Sequence, residues 1–169
     1  KADVSYIPSS KSIAINKTAL RLYFPDNELS NLVPITRIIP YTNTPLRATI
    51  NELYAGPNPA LGIPRDSPIP RIDNLSLNNN IAQVFLPKNL GIFNDYSLNA
   101  KNALDSLVKS LTSIAEVNSV QFYVERRIVS EAFHGISIDK PFYENTMPKI
   151  FVGYKTDTNR LLLLPIESE

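Results

Sequence analysis

Hydrophobic and polar positions alternate from Ala19 to Phe24, which places Leu20, Leu22 and Phe24 on one face of an extended segment. Pro25-Asp26-Asn27 then supplies turn chemistry, and Leu32 to Ile39 returns as a second strand. Pro34 cannot donate to a ladder, which favours an edge or bulge position near the start of that strand. Thr44 as N-cap and Pro45 at the first helical position open a helix with the stripe Leu46, Ile50, Leu53 and Tyr54, and Gly56-Pro57 stops it. Asn58 to Pro70, dense in proline, reads as an ordered irregular connection. Leu75 to Leu77 and Ile81 to Leu86 flank Asn78-Asn79-Asn80 as a tight hairpin, with Ala82, Val84 and Leu86 toward the core. Ser97 is the expected cap of the longest helix, where Ala100, Ala103, Leu104, Leu107, Val108, Leu111, Ile114 and Ala115 recur at helical spacing. Ser119 to Glu125 alternates again, with Val120, Phe122 and Val124 inward and Gln121, Tyr123 and Glu125 outward.

The order ββαββαβ predicts an α+β fold, a small mixed or antiparallel sheet with two helices packed on one face. Residues 1–18 hold no sustained period and read as a leader or linker; the domain proper is expected over 19–148, and 149–169 forms a C-terminal β-hairpin.

Composition narrows the function classes. The chain has 169 residues, 43% hydrophobic and 20% charged, which suits one folded domain or one domain with a partial extra unit. Its 17 Lys plus Arg against 16 Asp plus Glu leave a formal charge of +1, with no field to recruit nucleic acid or an anionic membrane. The lack of cysteine removes disulfides, zinc thiolates and Cys nucleophiles together, and His134 stands alone, so no metal site or cofactor is expected. No stretch approaches the roughly 20 apolar residues of a membrane helix. Membrane association is therefore expected only through a segment upstream of Lys1.

Candidate chemistry is thin. His134 titrates in the range of a general base, but Ser137 beside Ile136 and Ile138 is no nucleophile elbow, and Asp139 is its nearest acid in sequence. The acids Glu52, Asp66, Asp73, Asp105, Glu116, Glu125, Glu131 and Asp139 are scattered over turns and helix faces, not paired across a cleft. Asp26-Asn27-Glu28 lacks the spaced ligands and glycine of a calcium loop and reads as a hairpin turn. No catalytic residue is assigned. Arg126 and Arg127, with Lys140 and Arg37, could form a small basic patch for acidic partners or wall polymers, although Arg37 fits a structural salt bridge better. Among eight tyrosines, Tyr123 is an outward one able to anchor a partner.

These residues resemble the GerM domain of sporulation and germination proteins, from about Leu20 to Pro141. The resemblance is carried by Leu22-Tyr23-Phe24, Leu32-Val33-Pro34-Ile35-Thr36-Arg37, Thr44-Pro45, Leu53-Tyr54-Ala55-Gly56-Pro57 and Ile63-Pro64. It implies kinship with the ring-building modules of sporulation channels, whose core is a helix, two strands, a helix and a strand. It also implies a non-enzymatic, extracytoplasmic scaffold, anchored to the membrane or present as a lipoprotein in full-length form, that assembles with envelope or sporulation proteins or with itself. The alternative is a module binding peptidoglycan or another envelope glycan. The chain departs from the family after Val124, where a glycine is usual and Glu125-Arg126-Arg127 stands instead.

An ungapped alignment of the tail with the opening hairpin places Tyr154 on Tyr23, Asp157 on Asp26, Leu163 on Leu32 and Pro165 on Pro34. The tail thus resembles the start of a second GerM repeat. Its apolar residues are expected to pack on this domain or on a second chain.

Overall fold

The computed structural model describes residues 16–144 and 149–167. Its strands are β1 (Lys17–Pro25), β2 (Leu32–Pro40), β3 (Asn74–Asn78), β4 (Ile81–Leu86), β5 (Ser119–Val124), β6 (Glu131–Ala132), β7 (Ile136–Ser137), β8 (Phe142–Tyr143), β9 (Lys149–Lys155) and β10 (Leu161–Glu167). Its helices are α1 (Pro45–Ala55), the short α2 (Ile92–Asp95) and α3 (Ser97–Thr112), with a 3-10 turn over Pro59–Leu61. The class is α+β. Most of the expected leader, residues 1–15 with Tyr6, lies outside the described residues, and β1 already begins at Lys17.

The central sheet has the order β3-β4-β5-β8. β3 and β4 join antiparallel through Asn79 and Asn80, at φ +49° and +63°, a left-handed pair that Asn tolerates better than most residues. β4 and β5 run parallel, which requires a crossover, and α3 supplies it. Ala82, Val84, Val120 and Phe122 on the sheet and Ala103, Leu107 and Leu111 on α3 are fully buried.

A single sheet was expected, but the strands form four, with β1-β2, β6-β7 and β9-β10 as separate hairpins. β1 packs on both α1 and α3, so the helices lie between the central sheet and the first hairpin. α3 therefore buries more than an apolar stripe: Asn102, Ser106 and Ser110 are buried as well. The unpaired edge of β1 explains Ser110, because a buried backbone N–H there needs a partner, and the turn after β1 explains Asn102, whereas Ser106 Oγ is buried without a hydrogen-bond partner. Tyr23 N–H donates to Ser110 Oγ at 3.0 Å, Ser113 Oγ donates to Arg21 O at 3.2 Å, and Asn102 Nδ2 donates to Leu29 O at 3.0 Å.

Pro34 sits opposite Tyr23. Ladder bonds from Asp26 N–H to Asn31 O and from Tyr41 N–H to Asn16 O set the alternation, and the Tyr23–Pro34 pair falls between bonded pairs. The missing N–H of Pro34 thus faces away from β1.

Two cap assignments change. Thr44 occupies the N-cap of α1 but makes no side-chain cap bond, its hydroxyl lying instead 3.1 Å from Thr42 Oγ1. Ser97 does not cap α3; it is the first helical residue and Tyr96 holds the N-cap position. The reason is α2, which runs up to Asp95 and leaves Tyr96 as a one-residue extended joint between the two helices. Gln121 is also corrected: it is buried, since the chain after β5 folds back and Ile138 O accepts from Gln121 Nε2 at 3.0 Å.

The tail hairpin packs on its own domain. Leu164 is 3% exposed within the core cluster, Tyr154 and Leu162 pack against that cluster, and β10 lies against β2. Both hairpin turns grip the 3-10 turn: Asn27 Nδ2 donates to Gly62 O at 3.1 Å and to Asp157 Oδ2 at 2.7 Å, and Thr158 Oγ1 donates to Ala60 O at 3.1 Å. The ungapped repeat does not survive as register. Tyr23 faces Pro34, whereas Tyr154 faces Leu162 and Pro165 faces Phe151. Turn length is the cause, since the first turn spans Asn27 to Ser30 and the second only Asp157 to Asn159. Thr156, not Asp157, takes the place of Asp26: each accepts from the backbone N–H four residues on, Ser30 to Asp26 at 2.9 Å and Arg160 to Thr156 at 3.2 Å.

Candidate interaction site at the strand ends

The motif residues build the scaffold. Tyr23, Phe24 and Leu53 are buried, as are Gly56 and Pro57, while Pro34, Pro45 and Pro64 are half-buried. Gly56 has φ +73°, and a Cβ there would run into Arg65 O, so glycine is required both for conformation and for space. Arg37 closes the end of α1: Nη1 pairs with Glu52 Oε2 at 2.5 Å and reaches Glu52 O, and Nη2 donates to Gly56 O at 2.7 Å. A cation bonding the last carbonyls of a helix is favoured by the helix dipole. This role commits the Arg37 guanidinium to the scaffold and takes it out of the basic patch with Arg126, Arg127 and Lys140.

His134 is exposed at the tip between β6 and β7, with φ +60°, and its Nδ1 lies 2.8 Å from Asn94 O. Asp139 accepts from Ser137 Oγ at 2.8 Å. The structure thus pairs Ser137 with Asp139 and attaches His134 to α2. Among the described residues no group of three His, Cys, Asp or Glu could hold a metal ion.

At the C-terminal ends of β4 and β5 the chain leaves a pocket of about 320 Å³ lined by Asp73, Asn74, Phe85, Leu86, Glu125 and Arg126. Beside it, on the sheet face opposite α3, the rings of Phe85 and Tyr123 stack with centroids 4.8 Å apart and planes 17° from parallel. Gln83 orders this face, receiving Ser76 Oγ at 2.9 Å and donating to Tyr123 Oη at 3.2 Å. The pocket lip is the turn after β5. Glu125 and Arg126 have φ +49° and +66°, and Val124 and Arg127 exchange both backbone bonds at 2.9 Å. Glu125 N–H also donates to Leu86 O at 3.0 Å, which locks the turn to β4. Among the described residues neither Arg126 nor Arg127 makes a salt bridge.

The structure therefore brings Arg126 to one pocket with Asp73, Asn74 and Glu125, and sets Tyr123 beside it on Phe85. Asp73 and Glu125 look scattered in the sequence because their convergence depends on the parallel pairing of β4 with β5. The readable signal was the crossover itself, since ligands of such sheets gather at the carboxyl ends of parallel strands.

Comparison with protein families matches residues 21–129 to Germane, described as sporulation and spore germination. The fold is similar to the tandem GerMN domains of the sporulation protein GerM from Bacillus subtilis, with TM-score 0.64 and 13% identity over 88% of this chain and 59% of that one. This chain thus spans 59% of the length of that tandem structure. The first GerMN domain of the same protein gives TM-score 0.59 and 15% identity over 75% of this chain and 98% of that one. A candidate lipoprotein from Clostridium perfringens gives TM-score 0.50 and 20% identity over 78% of this chain and 90% of that one. Comparison with curated proteins returned no match.

Proposed function

Because the chain belongs to the Germane family of sporulation and spore germination domains, we propose that it is a non-enzymatic, extracytoplasmic assembly module in the envelope of a spore-forming bacterium. Its partners in this reading are other envelope or sporulation proteins and further units of its own kind. The observation that carries the reading is the outer face of the tail hairpin. Leu161 and Leu163 are 72% and 61% exposed there, above Gly153, while Leu164 on the other face is buried. Adjacent exposed leucines of this kind mark an association surface.

The occupant proposed for that face is a second GerM unit. Likeness to a structure made of tandem GerMN domains supports it. Likeness to a candidate lipoprotein supports an anchored, extracytoplasmic setting. No helix among the described residues is long and apolar enough to cross a membrane.

Sedimentation velocity over a concentration series tests the proposal, with Leu161→Lys/Leu163→Lys as the comparison, beside capture of envelope proteins from sporulating cells. The parent chain is expected to self-associate as concentration rises and the variant to remain monomeric. A parent that stays strictly monomeric and retains no envelope protein overturns the reading.

A further inference from the structure

Two consecutive non-glycine residues take the left-handed conformation at three turns among the described residues, one of them Phe133 and His134 at φ +49° and +60°, where the Phe133 side chain is fully buried in the core. Between β3 and β4 the pair is Asn79 and Asn80 at φ +49° and +63°, and after β5 it is Glu125 and Arg126 at φ +49° and +66°. Asn accepts this conformation readily, whereas a long side chain there is strained. The chain thus uses the easy solution at one turn and strained ones at two; burial of Phe133 in the core accounts for one of these, whereas Glu125 and Arg126 are exposed. Strain held at a site where the surroundings enforce it marks a place where the side chains themselves are needed. Here the enforcement is visible in the paired Val124–Arg127 bonds and the Glu125–Leu86 bond, and the side chains of Glu125 and Arg126 line the pocket.

We infer that this pocket and the Phe85–Tyr123 platform beside it bind an oligosaccharide that carries a carboxylate. The pocket volume, about 320 Å³, lies at the lower end of small-ligand sites, which run from about 300 to 1,000 Å³. Its polar groups suit sugar hydroxyls, since the carboxylates of Asp73 and Glu125 accept and the Asn74 amide both donates and accepts. Asn74 Oδ1 already receives Leu75 N–H at 2.9 Å, which leaves its amide donors for a ligand. Arg126, without a salt bridge among the described residues, offers a planar fork to a ligand carboxylate. The adjoining face is hydroxyl, amide and aromatic, pre-ordered by the Ser76–Gln83–Tyr123 hydrogen bonds.

Two other ligand classes fit less well. A polyphosphate would set several charges against one guanidinium and the two carboxylates, whereas the glycan brings a single carboxylate to Arg126 and its hydroxyls to Asp73 and Glu125. A peptide added as a strand would need the free edge of β3, where the side chain of Asn74 already occupies Leu75 N–H. This inference does not depend on self-assembly, and either can fail alone.

The test is an amide NMR titration of the whole chain with a peptide-free tetrasaccharide of alternating N-acetylglucosamine and N-acetylmuramic acid, with chitotetraose as the neutral control and tetraglutamate as the peptide control. The expected result is saturable shifts clustered at Asn74, Phe85, Tyr123 and Arg126, at least several-fold weaker with chitotetraose and absent with tetraglutamate. Glu125→Asn/Arg126→Gly is expected to raise Tm by about 2–5 °C through relief of strain while the shifts vanish. Shifts with tetraglutamate equal to those with the acidic glycan would assign the surface to a protein partner and overturn the inference. So would a lack of clustered shifts with the glycan, or full retention of them in the variant.

Discussion

Tyr23 N–H donates to Ser110 Oγ at 3.0 Å, joining residues of β1 and α3 that lie far apart in sequence. This N–H points away from β2, because Tyr23 and Pro34 form a pair without ladder bonds, so Ser110 is its partner in a fully buried place. One hydroxyl thereby completes the edge of the first hairpin and fixes it on the long helix.

Ser110→Ala leaves that N–H unsatisfied and is expected to cost about 1–3 kcal/mol, seen as a fall in Tm of about 2–10 °C. Ser113→Ala should cost less, because Ser113 is exposed and its hydroxyl shares its bonding between Arg21 O and its own helix. Thermal unfolding of both variants checks the order; equal Tm values would show that the Tyr23 bond contributes nothing.

Arg37→Ala removes three contacts to the end of α1, and a loss of about 1–3 kcal/mol is expected for bonds made by a charged donor. Arg37→Lys should recover only part of it, since an ammonium cannot span Glu52 and Gly56 as a fork does. Glu52→Gln should be milder than either, because the bonds to the Glu52 and Gly56 carbonyls remain. Urea midpoints of the three variants decide this order.

Tyr54 Oη donates to Pro70 O at 3.2 Å and accepts from Ile72 N–H at 2.7 Å. Burial pushes its pKa above the usual 10.0, against the lowering effects of the Ile72 N–H and of Arg47 and Arg71. The folded state then keeps the proton at pH values where the unfolded chain loses it. The associated stability is complete below the unfolded value and disappears as pH rises through the folded one. Relative to Tyr54→Phe, the parent should therefore lose Tm faster above about pH 10. Parallel curves for the two proteins in that range would refute this.

Removing residues 149–169 opens the seat of Leu164 in the core and breaks the Asn27–Asp157 and Thr158–Ala60 bonds. A lower Tm is expected, and Leu164→Ala alone should cost about 2–4 kcal/mol. A truncated chain as stable as the parent would make the hairpin dispensable.

Much of this protein was determined by its sequence alone, because the relevant physics is local. The face Leu20, Leu22 and Phe24, the alternation Ala82, Val84 and Leu86, and the helical spacing from Ala100 to Leu111 depend only on the periods of strand and helix. Gly56 and the Asn79–Asn80 turn are likewise read from what their own backbones tolerate. The tertiary structure decided whatever needed a partner distant in the chain. Ser106 and Ser110 are buried because β1 covers a second side of α3, and Gln121 is buried because Ile138 returns over it. The tail kept its hairpin character but not the register of the opening one, since a shorter turn changes which residues face each other. Asp73, Asn74, Glu125 and Arg126 share a pocket only because β4 and β5 pair in parallel, a long-range choice that no local period encodes.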